Sequence, residues 1–400
     1  MKKQTIRDID VRDKRVFLRV DYNVQFVNGQ ILDDHRLRES LATIRELRGN
    51  GAKVIICSHR GRPRGEVVPE LSNGPVAEYL SKLTEGPVAF VDACIGAKAT
   101  AAVERMAPGD LLMLENVRFH AGEEANDDAF ARALADLADI YVNDAFGTAH
   151  RAHASIVGVP RHIPGVAGLL LEREIDYLSG VSDHPERPFA LVLGGAKVAD
   201  KIGILQHLGD KADFVLIGGG IANTFLKAQG IDVGASLVED DRIDTALDVM
   251  RQAAKAGRPR LVLPRDVVIA DAHGENVRTV SVNRVPPGFR ILDIGGGTLD
   301  DFRAVLQNAR TVVWNGPMGF FERDPFDRGS LEVATILGSI KATTVVGGGE
   351  TAAAVARAGM SAHVSHVSTG GGASLAMLQG EVLPGVAALR DVPEPAARTR

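Results

Sequence analysis

"FALVLGGAKVADKIG", Phe189–Gly203, decides how the rest of the chain is read. Its five apolar residues, Phe189–Leu193, have the character of a buried strand, and Gly194 and Gly195 follow at once. Lys197 and Lys201 then stand four positions apart. A strand that ends in bare backbone and leads into a helix is the βα turn of a parallel sheet. The free N–H groups and dipole at the start of such a helix attract anions. The spacing predicts a helix opening just after Gly195. Both ammonium groups would share its face and lean back over the glycine turn. A solvated helix stripe would give the same spacing, so the surrounding sequence has to decide.

The unit recurs in both directions. "DFVLIGG", "RLVLP", "RTVVWNG" and "TTVVGGG" lie downstream, each ending in glycine or proline. Upstream, "RVFLRV" (15–20), "KVIIC" (53–57), "LLMLE" (111–115) and "DIYVN" (139–143) read as buried strands. Helical patterns lie between them. "DDHRLRESLATIREL" puts Leu37, Leu41 and Ile44 on one stripe, with Asp33 or Asp34 as its cap. This alternation predicts an α/β fold of parallel sheets with helices on both faces, and ligands at the carboxyl edge of the strands. Between the two series, "GLLLEREIDYLSGVSDHPERP" (168–188) reads as an amphipathic helix closed by a proline-bearing loop. The expected organisation is an N-terminal domain over 1–168, a hinge helix over 169–187, a C-terminal domain over 188–382 and a tail over 383–400. The tail is either a strap packing back on the first domain or a loose end.

The 400 residues exceed what one hydrophobic core usually serves, which also argues for two domains. With 45% hydrophobic and 24% charged residues the composition is that of a soluble globular protein. A net charge of −5 offers no general attraction for nucleic acid or an anionic membrane. Cys57 and Cys94 form no CxxC pair and cannot staple a chain of this length, which suits a reducing compartment. The start, MKKQTIRDIDVRDKR, lacks the apolar stretch of a signal peptide, and no apolar run approaches the ~20 residues of a membrane span. A cytoplasmic protein is expected.

Any anion site must therefore rest on locally clustered cations. The first half supplies them in short loops, several directly after a strand: Arg36, His59, Arg60 and Arg62 ("SHRGRPRG"), Arg118, and His150, Arg151 and His153. Guanidinium forks grip carboxylate or phosphate bidentately. Asp21 and Asn23, after strand 15–20, can hydrogen-bond a hydroxyl. A single arginine of this kind is usually a solvated surface charge. Recurrence at strand ends is what turns the group into a candidate site for a small, multiply charged anion. The second half collects glycine turns instead: "LGGAK", "IGGGIANTF", "DIGGGTLDD", "WNGPMGFFE", "VGGGETAAAV" and "STGGGASLAML". One such turn is ordinary α/β architecture, whereas six in one half suggest phosphate binding.

Other chemistry is poorly supported. No Walker A motif is present, because Gly and Lys are never adjacent in that order. "GGGETA" fits the GxGxxA of a dinucleotide fold, but Glu350 stands where a pyrophosphate would approach, and an acid there suits a bound metal better. His150/His153 and His363/His366 lack a third zinc ligand, and no GxSxG elbow occurs. Trp314 reads as packing.

The ordered strings "FLRVDYNV", "DDHRLRESLATI", "SHRGRPRG", "LLENVRFHAGEEAND", "YVNDAFGTAHRAHAS", "LGGAKVADKI", "IGGGIANTFL", "VVWNGPMGFFE", "VVGGGETAAA" and "HVSTGGGASL" resemble the phosphoglycerate kinase family over nearly the whole chain. The resemblance implies two Rossmann-like domains separated by a cleft and joined by a hinge helix. It implies reversible, Mg2+-dependent phosphoryl transfer between 1,3-bisphosphoglycerate and ADP, giving 3-phosphoglycerate and ATP, in a monomer that binds neither nucleic acid nor membrane. By the family's pattern, Asp21, Tyr22, Asn23, Arg36, His59, Arg60, Gly61, Arg62, Arg118 and Arg151 hold 3-phosphoglycerate. The nucleotide falls to Gly194, Gly195, Lys197, Lys201, Gly219, Asn315, Pro317, Gly319, Glu322 and the Gly348, Gly349, Glu350, Thr351 turn, with the metal at Glu350. Arg36, Lys197 and the amides of Gly371 and Gly372 are assigned to the phosphoryl group in flight.

Three positions depart from the family pattern. Arg60 stands where leucine is common, adding a cation near the substrate ledge. Gly296 and Gly297 replace a frequent proline and lysine, an expected loosening of the nucleotide wall. Glu350 stands where aspartate is frequent. Both phosphoryl acceptors are already ionised at neutral pH, so the absence of an evident general base is consistent with this chemistry. Two rival readings remain open at this point: a nicotinamide-dependent dehydrogenase, and a non-catalytic binding protein of the same fold.

Overall fold

The structure, a computed structural model, describes residues 2–256 and 259–393. Its contacts divide the chain into two compact units. One comprises residues 1–176 with 382–400, the other residues 177–381. The chain passes between them within a helix, Leu169–Asp183.

The first unit holds strands β1 (Arg15–Val20), a short hairpin β2–β3 (Phe26–Val27 and Gln30–Ile31), β4 (Lys53–Cys57), β5 (Val88–Val91), β6 (Leu111–Leu114), β7 (Ile140–Asp144) and β8 (Gly165–Ala167). Apart from the hairpin they form one parallel sheet in the order β5-β6-β4-β1-β7-β8. The strands are runs of β-branched and aliphatic residues because both faces are covered. Val16, Leu18, Val54, Ile56 and Val142 pack on one face with Leu37, Ile44 and Leu47 of the helix His35–Gly49. The N-cap position is Asp34, whose carboxylate turns to Arg38 and the Tyr79 hydroxyl and makes no capping bond, while Oδ1 of the preceding Asp33 accepts from the His35 amide at 2.9 Å. From β1 the chain builds outward first through β4 and then, on the other side, through β7. The carboxyl ends of β1, β4 and β7 therefore flank a topological switch point, where loops part and a ligand can enter.

The C-terminal residues belong to this unit. The Gly385 amide donates to Ala149 O at 2.8 Å, the Arg390 amide to Gly165 O at 3.0 Å, and Lys3 pairs with Asp391 at 2.7 Å. The expected tail also included residues 394–400, which lie outside the described residues.

The second unit holds β9 (Phe189–Leu193), β10 (Phe214–Ile217), β11 (Arg260–Val262), β12 (Asp266–Ala270), β13 (Arg278–Ser281), β14 (Arg290–Ile294), β15 (Thr311–Asn315), β16 (Thr343–Gly347) and β17 (His366–Val367). The parallel sheet runs β11-β10-β9-β15-β16-β17, the strand order of a doubly wound nucleotide-binding fold with its switch point between β9 and β15. Between the third and fourth of its strands the chain inserts an antiparallel sheet, β13-β12-β14, which carries a small core of its own around Val267, Ile269 and Val282. Trp314 is fully buried in the main core, and its indole N–H donates to Gly316 O at 2.8 Å. Cys57 and Cys94 are buried free thiols.

One buried acid ties the connecting helix down. Asp144, at the end of β7, accepts from the amides of Leu170 and Leu171 at 2.9 and 3.1 Å, and Thr43 Oγ1 accepts from the Leu169 amide at 2.9 Å. Three of the helix's otherwise unpaired N–H groups are thus satisfied from other elements. Burial outweighs these bonds and pushes the Asp144 carboxyl up to about 7. An acid raised in the folded state contributes stability that is complete below its unfolded pKa, near 3.9, and is lost as pH climbs through the folded value. Asp144→Asn keeps the acceptor and removes the charge. Melting curves should show the variant gaining on the parent by roughly 5 °C between pH 5 and pH 8. A difference independent of pH would contradict the assignment.

Candidate active site

In the first unit, four loops leave the carboxyl ends of β1, β4, β6 and β7 and bring their polar residues together. Arg36, in the first turn of helix His35–Gly49, donates from Nη1 to Asp21 Oδ2 at 3.0 Å and reaches Asn23 O at 3.5 Å. Asn23 Oδ1 accepts from the Gly61 amide at 2.9 Å, and Gly61 O accepts from Arg118 Nη1 at 2.7 Å. Arg118 is 3% exposed, and among the described residues its Nη2 has no hydrogen-bond partner. A buried guanidinium N–H left open in this way calls for an anionic acceptor. Arg62 is exposed on the same loop as Gly61, and Arg151 Nε lies 3.5 Å from His150 Nε2.

His59 is buried among these cations. Burial lowers its pKa well below the usual value, and Arg19, Arg118, Arg151 and Arg36 lower it further. It is therefore a neutral imidazole at physiological pH. Arg19 Nη2 lies 3.4 Å from His59 Nδ1, and a guanidinium can only donate, so Nδ1 is the acceptor and Nε2 carries the proton. Beneath the ledge, Arg19 donates from Nε to Ser155 Oγ at 2.7 Å, and Ser155 in turn donates from its amide and hydroxyl to Glu123 at 2.8 and 2.6 Å. Arg19 and Glu123 are 1% and 0% exposed in their side chains. A buried anion under a cluster of cations offsets their mutual repulsion. Asn116 pins the loops from within: its Oδ1 accepts from the amides of Arg60 and Arg118, and its Nδ2 donates to Arg60 O and Leu71 O. None of Arg19, Glu123 or Asn116 was picked out by the sequence reading. The available signal was an arginine inside a strand, "RVFLRV", whose other positions read as buried.

Two expected members of the ledge are placed elsewhere. The Tyr22 ring is fully buried in the core with its hydroxyl 2.6 Å from Ser40 Oγ, because an aromatic ring gains more from burial with one satisfied polar tip than from facing solvent. Arg60 does not add a cation to the ledge. It is buried, its guanidinium lies 4.4 Å over the Phe26 ring of the β2–β3 hairpin, and Nη1 donates to Ser72 O.

In the second unit the glycine turns interlock at the β9/β15 switch point. The Gly194 amide donates to Asn315 O at 3.0 Å, Gly195 to Pro317 O at 2.8 Å and Gly219 to Met318 O at 2.8 Å. The Gly316 amide donates to the buried Thr351 Oγ1 at 2.7 Å. Helices Gly349–Arg357 and Gly371–Leu378 both open here; a Cβ on Gly371 would lie 3.4 Å from the Gly349 nitrogen, so the two N-termini point to one place. Beside them is a cavity of about 270 Å³ lined by Gly195, Gly219, Pro317, Gly319, Glu322 and Glu350, with the apolar side chains of Leu237, Val267, Ile291 and Met318. Val267 and Ile291 went unrecognised in the sequence because the antiparallel sheet that carries them was not foreseen; Leu237, Met318 and Asn223, also on the lining, carry no local signal of it.

The lysine pair is not a helical stripe. The helix starts only at Ile202, and residues 194–201 form a turn. Val198 packs into the core, and the amides of Val198 and Ala199 are taken by the Glu239 carboxylate, a tertiary partner that holds them out of a helix. Lys197 is exposed on this turn. Lys201 is half-buried and donates to Asn315 Oδ1; burial lowers its pKa against the opposing pull of Asp200 and Glu350. The Gly295–Gly297 turn is likewise not loose. The Asp266 carboxylate accepts from the amides of Gly297 and Thr298 at 2.9 and 2.6 Å.

A cationic ledge on one doubly wound unit and a glycine-lined cavity on another define a class, the phosphotransferases built from two α/β units. A family model described as phosphoglycerate kinase matches residues 6–381. The phosphoglycerate kinase of Pelotomaculum thermopropionicum is 52% identical over 393 residues, covering 98% of this chain and all of the relative. That of Desulforudis audaxviator is 53% identical over 395 residues, again with 98% and full coverage. Among solved structures, phosphoglycerate kinase from Coxiella burnetii superposes with a TM-score of 0.88 at 38% identity, covering 96% of this chain and 98% of that one. The Pyrococcus horikoshii enzyme gives 0.84 at 34% identity with the same coverage. The chain belongs to the phosphoglycerate kinase family. It is a nucleotide-using glycolytic kinase, and the dehydrogenase and non-catalytic readings are set aside.

The interlocked turns leave no room for a side chain. Gly316 has φ +95°, and a Cβ there would stand 2.3 Å from Gly194 O. Gly316→Ala must force the ends of β9 and β15 apart. We expect affinity for ADP, measured by calorimetric titration, to fall at least about fivefold, the consequence of ~1–3 kcal/mol of overpacking beside the cavity. Parental affinity in a folded variant would contradict this.

Proposed function

We propose that the ledge of the first unit holds 3-phosphoglycerate and the cavity of the second holds the nucleotide. Arg118, Arg151, Arg62 and the Nε2–H of His59 take the substrate's anionic groups, with Asp21 and Asn23 at its hydroxyl. Gly194, Gly195, Gly219, Pro317 and Gly319 border the adenosine, Glu322 receives the ribose, and Lys201 with the Gly348–Thr351 turn receives the phosphates. Arg36, Lys197 and the Gly371 and Gly372 amides surround the migrating phosphoryl group once the two units close on each other. In-line transfer asks for alignment and positive potential around the equatorial oxygens rather than a base. Closure removes water that would otherwise hydrolyse the acyl phosphate.

The residues fit a magnesium ion brought in by the nucleotide. Glu350 lines the cavity at a helix start, and among the described residues no three His, Cys, Asp or Glu side chains gather into a cage. Magnesium commonly takes one carboxylate and completes its shell with phosphate oxygens and water, and it supplies neutralisation of phosphate charge. The proposed working form is a monomer, as the family resemblance suggests. A cytoplasmic location is proposed with it; among the described residues no helix is long and apolar enough to cross a membrane.

The observation that carries this reading is the open Nη2 of buried Arg118 beside Arg36, His59 and Arg151. The test is a coupled assay with 3-phosphoglycerate, ATP and magnesium, run with and without chelator. ATP consumption that depends on both 3-phosphoglycerate and magnesium is expected. Turnover indifferent to chelator would overturn the metal assignment, and turnover without 3-phosphoglycerate the substrate assignment.

A further inference from the structure

We propose that Asn223 selects the base of the nucleotide, its side-chain oxygen accepting from the exocyclic amine of a 6-aminopurine. The inference rests on assigning the cavity of the second unit to the nucleotide. Asn223 sits in helix Gly219–Ala228, which opens from the glycine turn after β10, and it lines the cavity while being 1% exposed. Its Nδ2 donates to Leu237 O at 3.2 Å. That bond fixes which way the amide faces, because a carbonyl can only accept. Among the described residues its Oδ1 has no hydrogen-bond partner. A buried amide oxygen without a donor is a standing loss that a ligand N–H can repair.

The other polar side chains of the lining do not compete for this role. Asp293 is buried and engaged, accepting from the amides of Ile294 and Gly329 at 2.9 and 2.8 Å. Glu322 and Glu350 are exposed, which suits groups that meet ribose and metal. The walls near Asn223 are otherwise apolar, with Leu237, Val267, Ile291 and Met318 suited to the faces of a planar base. In such a wall one open acceptor discriminates strongly by sign. A 6-amino group donates to it, a 6-oxo group sets oxygen against oxygen, and a purine unsubstituted at that carbon leaves it unpaired.

The test compares ATP, inosine triphosphate and purine riboside triphosphate as phosphoryl donors to 3-phosphoglycerate in the parent, in Asn223→Leu, and in Asn223→Ala should the leucine variant not fold. The parent should show kcat/KM for ATP about tenfold above the other two donors, the worth of one hydrogen bond. The variants should bring all three donors within about twofold of one another by losing activity with ATP alone. Equal use of the three by the parent, or a preference for ATP that survives in a folded variant, overturns the proposal. Failure of the underlying assignment looks different: Gly316→Ala, which crowds the turns beside that cavity, would then bind ADP with parental affinity.

Discussion

Arg36→Ala is expected to lower kcat by about 10²–10³, the usual consequence of losing one preorganised contact to a transition state, while the Kd for 3-phosphoglycerate rises only a few-fold. The geometry is the reason for the split. Arg36 is already held at 3.0 Å by Asp21 and reaches Asn23 O, at the start of a helix whose Leu37, Leu41 and Ile44 are locked in the core. It is positioned before the reaction begins. In the proposed site, Arg118, Arg151 and Arg62 meet the ground-state charge of 3-phosphoglycerate, so removing one more cation should cost little binding. The charge that spreads over the phosphoryl oxygens in flight has fewer partners. Steady-state kinetics with direct titration of 3-phosphoglycerate separates the two. A raised KM at unchanged kcat would make Arg36 a positioning residue. Arg36→Lys should fall in between, since it keeps the charge and loses the guanidinium fork.

Lys197→Ala is the counterpart on the second unit, with an expected loss in kcat of about 10² and a KM for ATP within a few-fold of the parent. The contrast with Lys201 motivates it. Lys201 is half-buried and fixed on Asn315 at the end of β15, so its charge is already placed in the resting state. Lys197 is exposed on a turn whose neighbours Val198 and Ala199 are anchored by Glu239, so a solvent-facing ammonium sits on a fixed base. Such a group can follow the phosphoryl from one oxygen to the next. Equal losses in nucleotide affinity and in turnover would argue that Lys197 merely binds the ground state.

Much of the fold is legible in the sequence. β1, β4, β9 and β15 lie where "RVFLRV", "KVIIC", "FALVL" and "RTVVWN" place them, because strands covered on both faces must be continuous apolar runs. The cationic ledge and the glycine turns were visible for a related reason: a doubly wound sheet delivers its strand-end loops to one edge whatever their sequence. What escaped was set by contacts distant in the chain. The turn at 194–201 is held out of a helix by Glu239, and no local pattern in "GGAKVADK" announces that. Tyr22 and Arg60 occupy loop segments, where neither period fixes the side-chain direction; Ser40, Phe26 and Ser72 decide it. The antiparallel insert β12–β14 was overlooked because its short strands, "DVVIA", "RTVS" and "RILDI", carry charges at their ends and cover a core of their own rather than the main one. With it went part of the cavity wall.

The claim beneath all of this is that cations from two separate units surround one PO3 group as it moves. The direct measurement is a crystal structure of the enzyme with 3-phosphoglycerate, ADP, magnesium and a planar phosphoryl mimic. The account predicts that the Arg36 guanidinium, still braced by Asp21, stands with the Lys197 ammonium at hydrogen-bond distance, ~2.7–3.2 Å, from the equatorial atoms of the mimic. A closed complex in which Arg36 faces bulk water, away from the mimic, would contradict it.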